Sequence, residues 1–185
     1  MSNYPNAAQG LKLMFWAEIA VILCTVLMLI PLVNLIGILV TLAAGIVSLV
    51  GLYKAGNDAE GYKTAFALTI ISLVIGLFSD MDNGIGALLS IAESVLDLAV
   101  MYYVCVTTAK LLTAVGNLEV AEQAKVWKVY LICTVIGMVC SVLTLFPILD
   151  VLAAFVLLIA AFVMIGAGIL YLVFLYKSYR ALGAL

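Results

Sequence analysis

The chain has 185 residues, 68% apolar and 10% charged, with 8 basic and 10 acidic residues and a formal net charge of −2; its mean hydropathy is +1.35. So few charges cannot cover a soluble globule, in which roughly a quarter of the residues are charged. Disorder would need low hydrophobicity and high net charge, and a nucleic-acid surface would need a basic footprint, so an integral membrane protein remains.

A helix needs about 20 mostly apolar residues to cross a bilayer core. Residues 1–10 hold no lysine or arginine. They lack the charged start of a cleaved signal peptide, and form a short segment ahead of one membrane domain, 11–180. The first apolar run, 11–30, ends at Pro31, and the second covers 32–53. A short third run covers 64–79, and the fourth covers 84–113. The fifth, 126–146, ends at Pro147, and the sixth is 148–177. The fourth and sixth exceed the bilayer, so they are expected to tilt or project into water. The expected fold is all-α: a polytopic membrane bundle of six transmembrane helices, paired 1–2, 3–4 and 5–6 as three helical hairpins.

Two connections look alike. Gly56-Asn57-Asp58-Ala59-Glu60 and Gly116-Asn117-Leu118-Glu119 both open with residues that commonly close a helix. Pro31-Leu32-Val33-Asn34 likewise resembles Pro147-Ile148-Leu149-Asp150. The likeness is loose. It fits an internal repeat of the hairpin, and equally the ordinary chemistry of tight helix connections.

All eight basic residues fall on one side of this pattern: Lys12, Lys54, Lys63, Lys110, Lys125, Lys128, Lys177 and Arg180. The turns at Pro31 and Pro147 and the loop 80–86 carry none, but hold Asp80, Asp82 and Asp150. The positive-inside rule then puts both termini in the cytoplasm, in a multi-pass protein of a cell membrane. Trp16, Trp127, Tyr53, Tyr62, Tyr176 and Tyr179 sit at the same level, where amphipathic rings form an interfacial belt.

Small residues recur every four positions in three runs: Gly37, Thr41 and Gly45; Gly86, Ser90 and Ser94; Cys133, Gly137 and Ser141. That spacing lets helices approach closely in lipid, so Gly37, Gly45, Gly86 and Gly137 are the expected packing glycines. There is no histidine. Cys24, Cys105, Cys133 and Cys140 lie inside apolar runs, as small buried hydrophobes do. No phosphate-binding loop, nucleophile elbow or zinc spacing occurs. The expectation is therefore no metal, no cofactor and no enzyme.

Three acids fall inside spans: Glu18, Glu93 and Asp97. Each costs roughly 2.5–3.5 kcal/mol at a helix centre, and no lysine or arginine lies mid-span to offset it. Glu93 and Asp97 are one turn apart, with β-carbons about 5–6 Å from each other. Two carboxylates that close in low dielectric do not readily both ionise, so the pair is expected to keep a proton or hold a cation. Ser90 and Ser94 lie on or beside the same face and are expected to donate hydrogen bonds. Glu18, six residues past Lys12, lies where a long side chain reaches water.

Such acids serve ion or proton handling, hydrogen bonding between helices, or a partner face. The first function expected is a small transporter or channel-like protein with Glu93 and Asp97 as its polar centre. The alternative is a non-transporting membrane subunit that binds another membrane protein, as an assembly or protective factor. The partners implied are the lipid bilayer, a small cation or proton, and another membrane protein or a second copy of the chain, but no nucleic acid.

Overall fold

In the computed structural model, which describes residues 4–27, 34–79, 84–143 and 150–183, the apolar runs are helices. They are α1 (Pro5–Leu27), α2 (Asn34–Ala55), α3 (Glu60–Ser79), α4 (Gly84–Ala114), α5 (Leu118–Gln123), α6 (Val126–Leu143) and α7 (Asp150–Gly183). The expected turns at Pro31 and Pro147 lie outside the described residues. So do Asp80 and Asp82; the expected loop 80–86 enters them only at Gly84, which already belongs to α4.

Four helical stretches among the described residues are long and apolar enough to cross a bilayer: Pro5–Cys24, Leu88–Ala114, Leu118–Cys140 and Ala154–Gly183. Leu39–Ala55 is apolar but shorter. The described residues are thus all-helical, with several helices long and apolar enough to cross a membrane, as in a membrane protein.

The helix ends differ from those expected. α1 starts at Pro5 rather than residue 11, α3 at Glu60 rather than 64, and α7 continues to Gly183 rather than 177. Hydropathy marks only the length that lipid covers, whereas capping decides where a helix ends. Proline suits the first helical position because its fixed φ is already helical. The open amide of Ala7 is then satisfied from far away: Asp58 Oδ2 accepts from Ala7 N at 2.7 Å, and Oδ1 accepts from Asn6 Nδ2 at 2.8 Å. A carboxylate at a helix N-terminus also meets the positive end of the helix dipole.

The two look-alike connections are built differently. At Gly116 the backbone turns left-handed, with φ +81°. Asn117 N donates to Leu112 O at 2.8 Å and Gly116 N to Thr113 O at 3.0 Å, the Schellman closure of a helix. The Asn117 side chain then accepts from Val120 N at 3.3 Å and starts α5, a short helix absent from the expected pattern. Gly56 has no such φ. Its N–H continues the helical bonding to Leu52 O at 2.9 Å, and the neighbouring acid caps α1 instead.

The long helices pack in chain order, α1 on α2, α2 on α3, α3 on α4, α4 on α6 and α6 on α7, and α7 returns to α1. Described core residues gather at the end that carries the basic side chains: Leu11 and Met14 of α1, Leu52 of α2, Tyr62 of α3, Leu112 of α4, and Phe174 and Leu175 of α7. Tyr62, expected in the interfacial belt, is fully buried there. Its hydroxyl lies 2.7 Å from Thr108 Oγ1, and Thr108 donates its own proton to Val104 O at 2.7 Å, so Tyr62 is the donor to Thr108. Burial pushes the Tyr62 phenol above its ordinary range, which keeps that donor protonated. Trp16 and Tyr53 are exposed, as a lipid belt requires.

A close backbone crossing lies between α1 and α2. A β-carbon on Gly10 would collide with the Gly51 carbonyl oxygen, and one on Gly51 would come within 2.7 Å of the Gly10 carbonyl oxygen. Of the expected packing glycines, Gly37 and Gly86 are buried. At Gly45 and Gly137 a β-carbon would meet no atom within 4 Å. A small-residue repeat along one helix does not say which face meets another helix. All four cysteines are buried and free.

Candidate functional site

α3 and α4 run antiparallel, which sets residues of α3 opposite the acids of α4. Ser72 Oγ, itself buried, donates to Asp97 Oδ1 at 2.6 Å. One turn along α3, Gly76 faces Glu93: a β-carbon at Gly76 would stand 2.6 Å from Glu93 Oε1. The four-residue spacing of Glu93 and Asp97 on α4 thus matches that of Gly76 and Ser72 on α3. Both acids rest on a single face of the neighbouring helix, one held by a hydroxyl, the other given room by a missing side chain.

The expected donors behave differently. Ser94 Oγ donates to the Ser90 carbonyl oxygen at 3.0 Å, within its own helix. Back-bonding of this kind is common for serine inside a helix, and it directs the hydroxyl proton away from the acids. Ser90 and Ser94 instead join Asp97 in lining a cavity of about 560 Å³ between α4, α6 and α7, with Tyr130, Thr134 and Gly137 across from them. Asp97 therefore has two surroundings, the Ser72 hydroxyl on α3 and this partly polar cavity. Glu93 is half-buried and does not line it.

Glu18 is not brought to the pair. It lines a separate cavity of about 640 Å³ between α1, α2 and α3, together with Thr41, Gly45, Ser48 and Thr69. The open space beside Gly45 and beside Gly137 is the space of these two cavities.

Ser72 and Gly76 are the site residues that the sequence alone does not single out. The available signal is their own four-residue spacing in α3, which matches that of the acids. Among the described residues no three Cys, Asp or Glu side chains converge on one point. The oxygen donors at the α3–α4 seam suit a proton or a hard cation rather than a soft metal. Compared with known protein families, with characterised proteins and with solved structures, the chain finds no match in any of the three.

Proposed function

We propose that the chain is a six-span membrane protein, folded as three hairpins with both termini in the cytoplasm, that binds a proton or small cation at Asp97 and Glu93 and passes it across the bilayer. The observation that carries this reading is the seat of Asp97. Its carboxylate accepts a hydrogen bond from a hydroxyl on a neighbouring helix, borders a cavity with two serines and a threonine, and has no basic side chain on that cavity among the described residues. A carboxylate inside a membrane helix is costly, and a cavity beside it gives a proton or cation room to arrive and leave. The cytoplasmic orientation rests on the one-sided lysines and arginine. The reading needs no cofactor and no covalent chemistry, and we take the protein not to be an enzyme.

The test is flux in liposomes. Purified protein is reconstituted with an internal pH- or sodium-sensitive dye, and a gradient is imposed. Wild type is expected to dissipate a proton or sodium gradient, Asp97→Asn to abolish the flux, and Glu93→Gln to reduce it. A wild type that moves neither ion overturns the transport reading. The non-transporting subunit then takes its place, and co-purification from native membrane identifies its partner.

A further inference from the structure

Where the start of α1 meets the end of α7, small residues let the two helices close: a β-carbon on Gly183 would meet the Ala8 β-carbon at 3.5 Å. Longer side chains flank this floor and form a groove of about 330 Å³, walled by Gln9 and Lys12 from α1 and by Tyr179 and Arg180 from α7. Two cations thus line one groove. Among the described residues neither has a carboxylate within ion-pair distance, the one ion pair there being Lys125 with Glu122. Asp58, on the same end of the molecule, is engaged by Asn6 and Ala7.

The guanidinium is positioned. Arg180 Nη1 donates to the Tyr176 hydroxyl at 2.9 Å, and the group lies 5.5 Å from the centre of the Tyr176 ring. An arginine has five N–H donors, so others remain for a ligand. One turn deeper along each helix stands an exposed aromatic side chain, Trp16 after Lys12 and Tyr176 before Arg180. Phe15 bridges them, its ring centre 5.5 Å from Trp16 and 5.6 Å from Tyr176. The vertical order is cations outermost, then amphipathic aromatics, then bare apolar helix. A phospholipid presents the same order: phosphate, glycerol esters, acyl chain.

We propose that this groove is a binding site for an anionic phospholipid, with the phosphate between Lys12 and Arg180 and the first acyl methylenes against Phe15 and Trp16. The lipid supplies a negative charge between Lys12 and Arg180, where among the described residues no carboxylate lies within ion-pair distance. Basic pockets between membrane helices take anionic headgroups for this reason. The site is independent of the carboxylate pair. The groove around Lys110 and Lys125 is a poorer candidate, because Lys125 already has Glu122 as a neighbour.

The experiment uses full-length protein in a zwitterionic detergent. Melting temperature and bound-lipid mass are followed during titration with phosphatidylglycerol, phosphatidylcholine or inorganic phosphate. Phosphatidylglycerol is expected to raise the melting temperature and to appear as one retained lipid, and the other two to do neither. Lys12→Gln or Arg180→Gln should each weaken the response about fivefold, the scale of one charge at an anionic surface. The double variant should lose it, and Lys110→Gln with Lys125→Gln should keep it. Lys12→Arg is expected to respond like wild type, and high salt to weaken the wild-type response. An unchanged response in the double variant overturns the proposal, as does an equal response to phosphatidylcholine. A response to inorganic phosphate at the same concentration also overturns it, since the site would then take the free anion.

Discussion

Ser72 on α3 and Asp97 on α4 share a proton donor–acceptor contact of 2.6 Å across a helix seam, and one turn away Gly76 leaves the space that the Glu93 carboxylate fills. An acid on one membrane helix is thereby tied to a hydroxyl on the next, so the chemistry of the site and the packing of α3 on α4 are one arrangement. Perturbing either should be felt in the other.

Ser72→Ala removes the donor while keeping the helix. Hydrogen bonds between membrane helices are typically worth about 0.6 kcal/mol, up to about 2 kcal/mol. Thermal unfolding in detergent should show the loss. In a double-mutant cycle, Ser72→Ala should cost far less when made on Asp97→Ala, which leaves no acceptor for the hydroxyl, because the two share one contact. Additive losses would mean that Ser72 stabilises the protein through something other than Asp97.

The glycines separate into two groups. Gly10→Ala and Gly51→Ala each place a methyl where a backbone carbonyl already stands, and overpacking of that kind typically costs about 1–3 kcal/mol; Gly76→Ala meets the movable end of the Glu93 side chain and should cost less. Gly45→Ala and Gly137→Ala add a methyl to open space. They should be neutral or stabilising by up to about 1 kcal/mol through helix propensity. Melting temperatures of the five variants decide the matter; equal losses at all five positions would contradict the crossing at Gly10 and Gly51.

The outline of this fold is legible in the sequence because apolarity imposes it: the run at 84–113 and the described part of the run at 148–177 are helices, and Glu93 and Asp97 sit inside the first. What is illegible has a common cause. The position of a contact depends on how two helices are turned against each other, and composition along one helix carries no such angle. Gly10 and Gly51 look unremarkable because each is a solitary glycine, and Gly10 precedes the expected span. Ser72 is an unremarkable mid-helix serine in α3 until α4 is laid beside it in register. Tyr62 reads as a belt tyrosine from its depth alone, whereas its burial follows from the approach of α4, which brings Thr108 to its hydroxyl.

The carboxylate pair predicts a ligand-linked stability. A proton or sodium ion that binds only the folded site stabilises it by mass action. The melting temperature of wild type should therefore rise on adding sodium at fixed pH and ionic strength. Glu93→Gln and Asp97→Asn should stay folded and lose that response. Identical curves for wild type and both variants would make the pair a structural contact.

Orientation is checked by labelling. In a background stripped of the native cysteines, single cysteines at Asn57 and Asn83 should react with a membrane-impermeant reagent from opposite faces, Asn57 from the cytoplasmic one. The warrant is the concentration of all eight basic residues at one end. Reaction of both positions from one face would refute the six-span topology.

The Asp58 cap on α1 sets an order of events during synthesis. The first turn of the first helix is completed by a residue 51 positions downstream of Ala7, so its open amide must find another partner until the second helix and the connection after it have left the ribosome. The start of α1 thus reaches its final form only once the connection after α2 is in place. A polypeptide cut after α2 but before Asp58 would carry both helices and still have a frayed beginning.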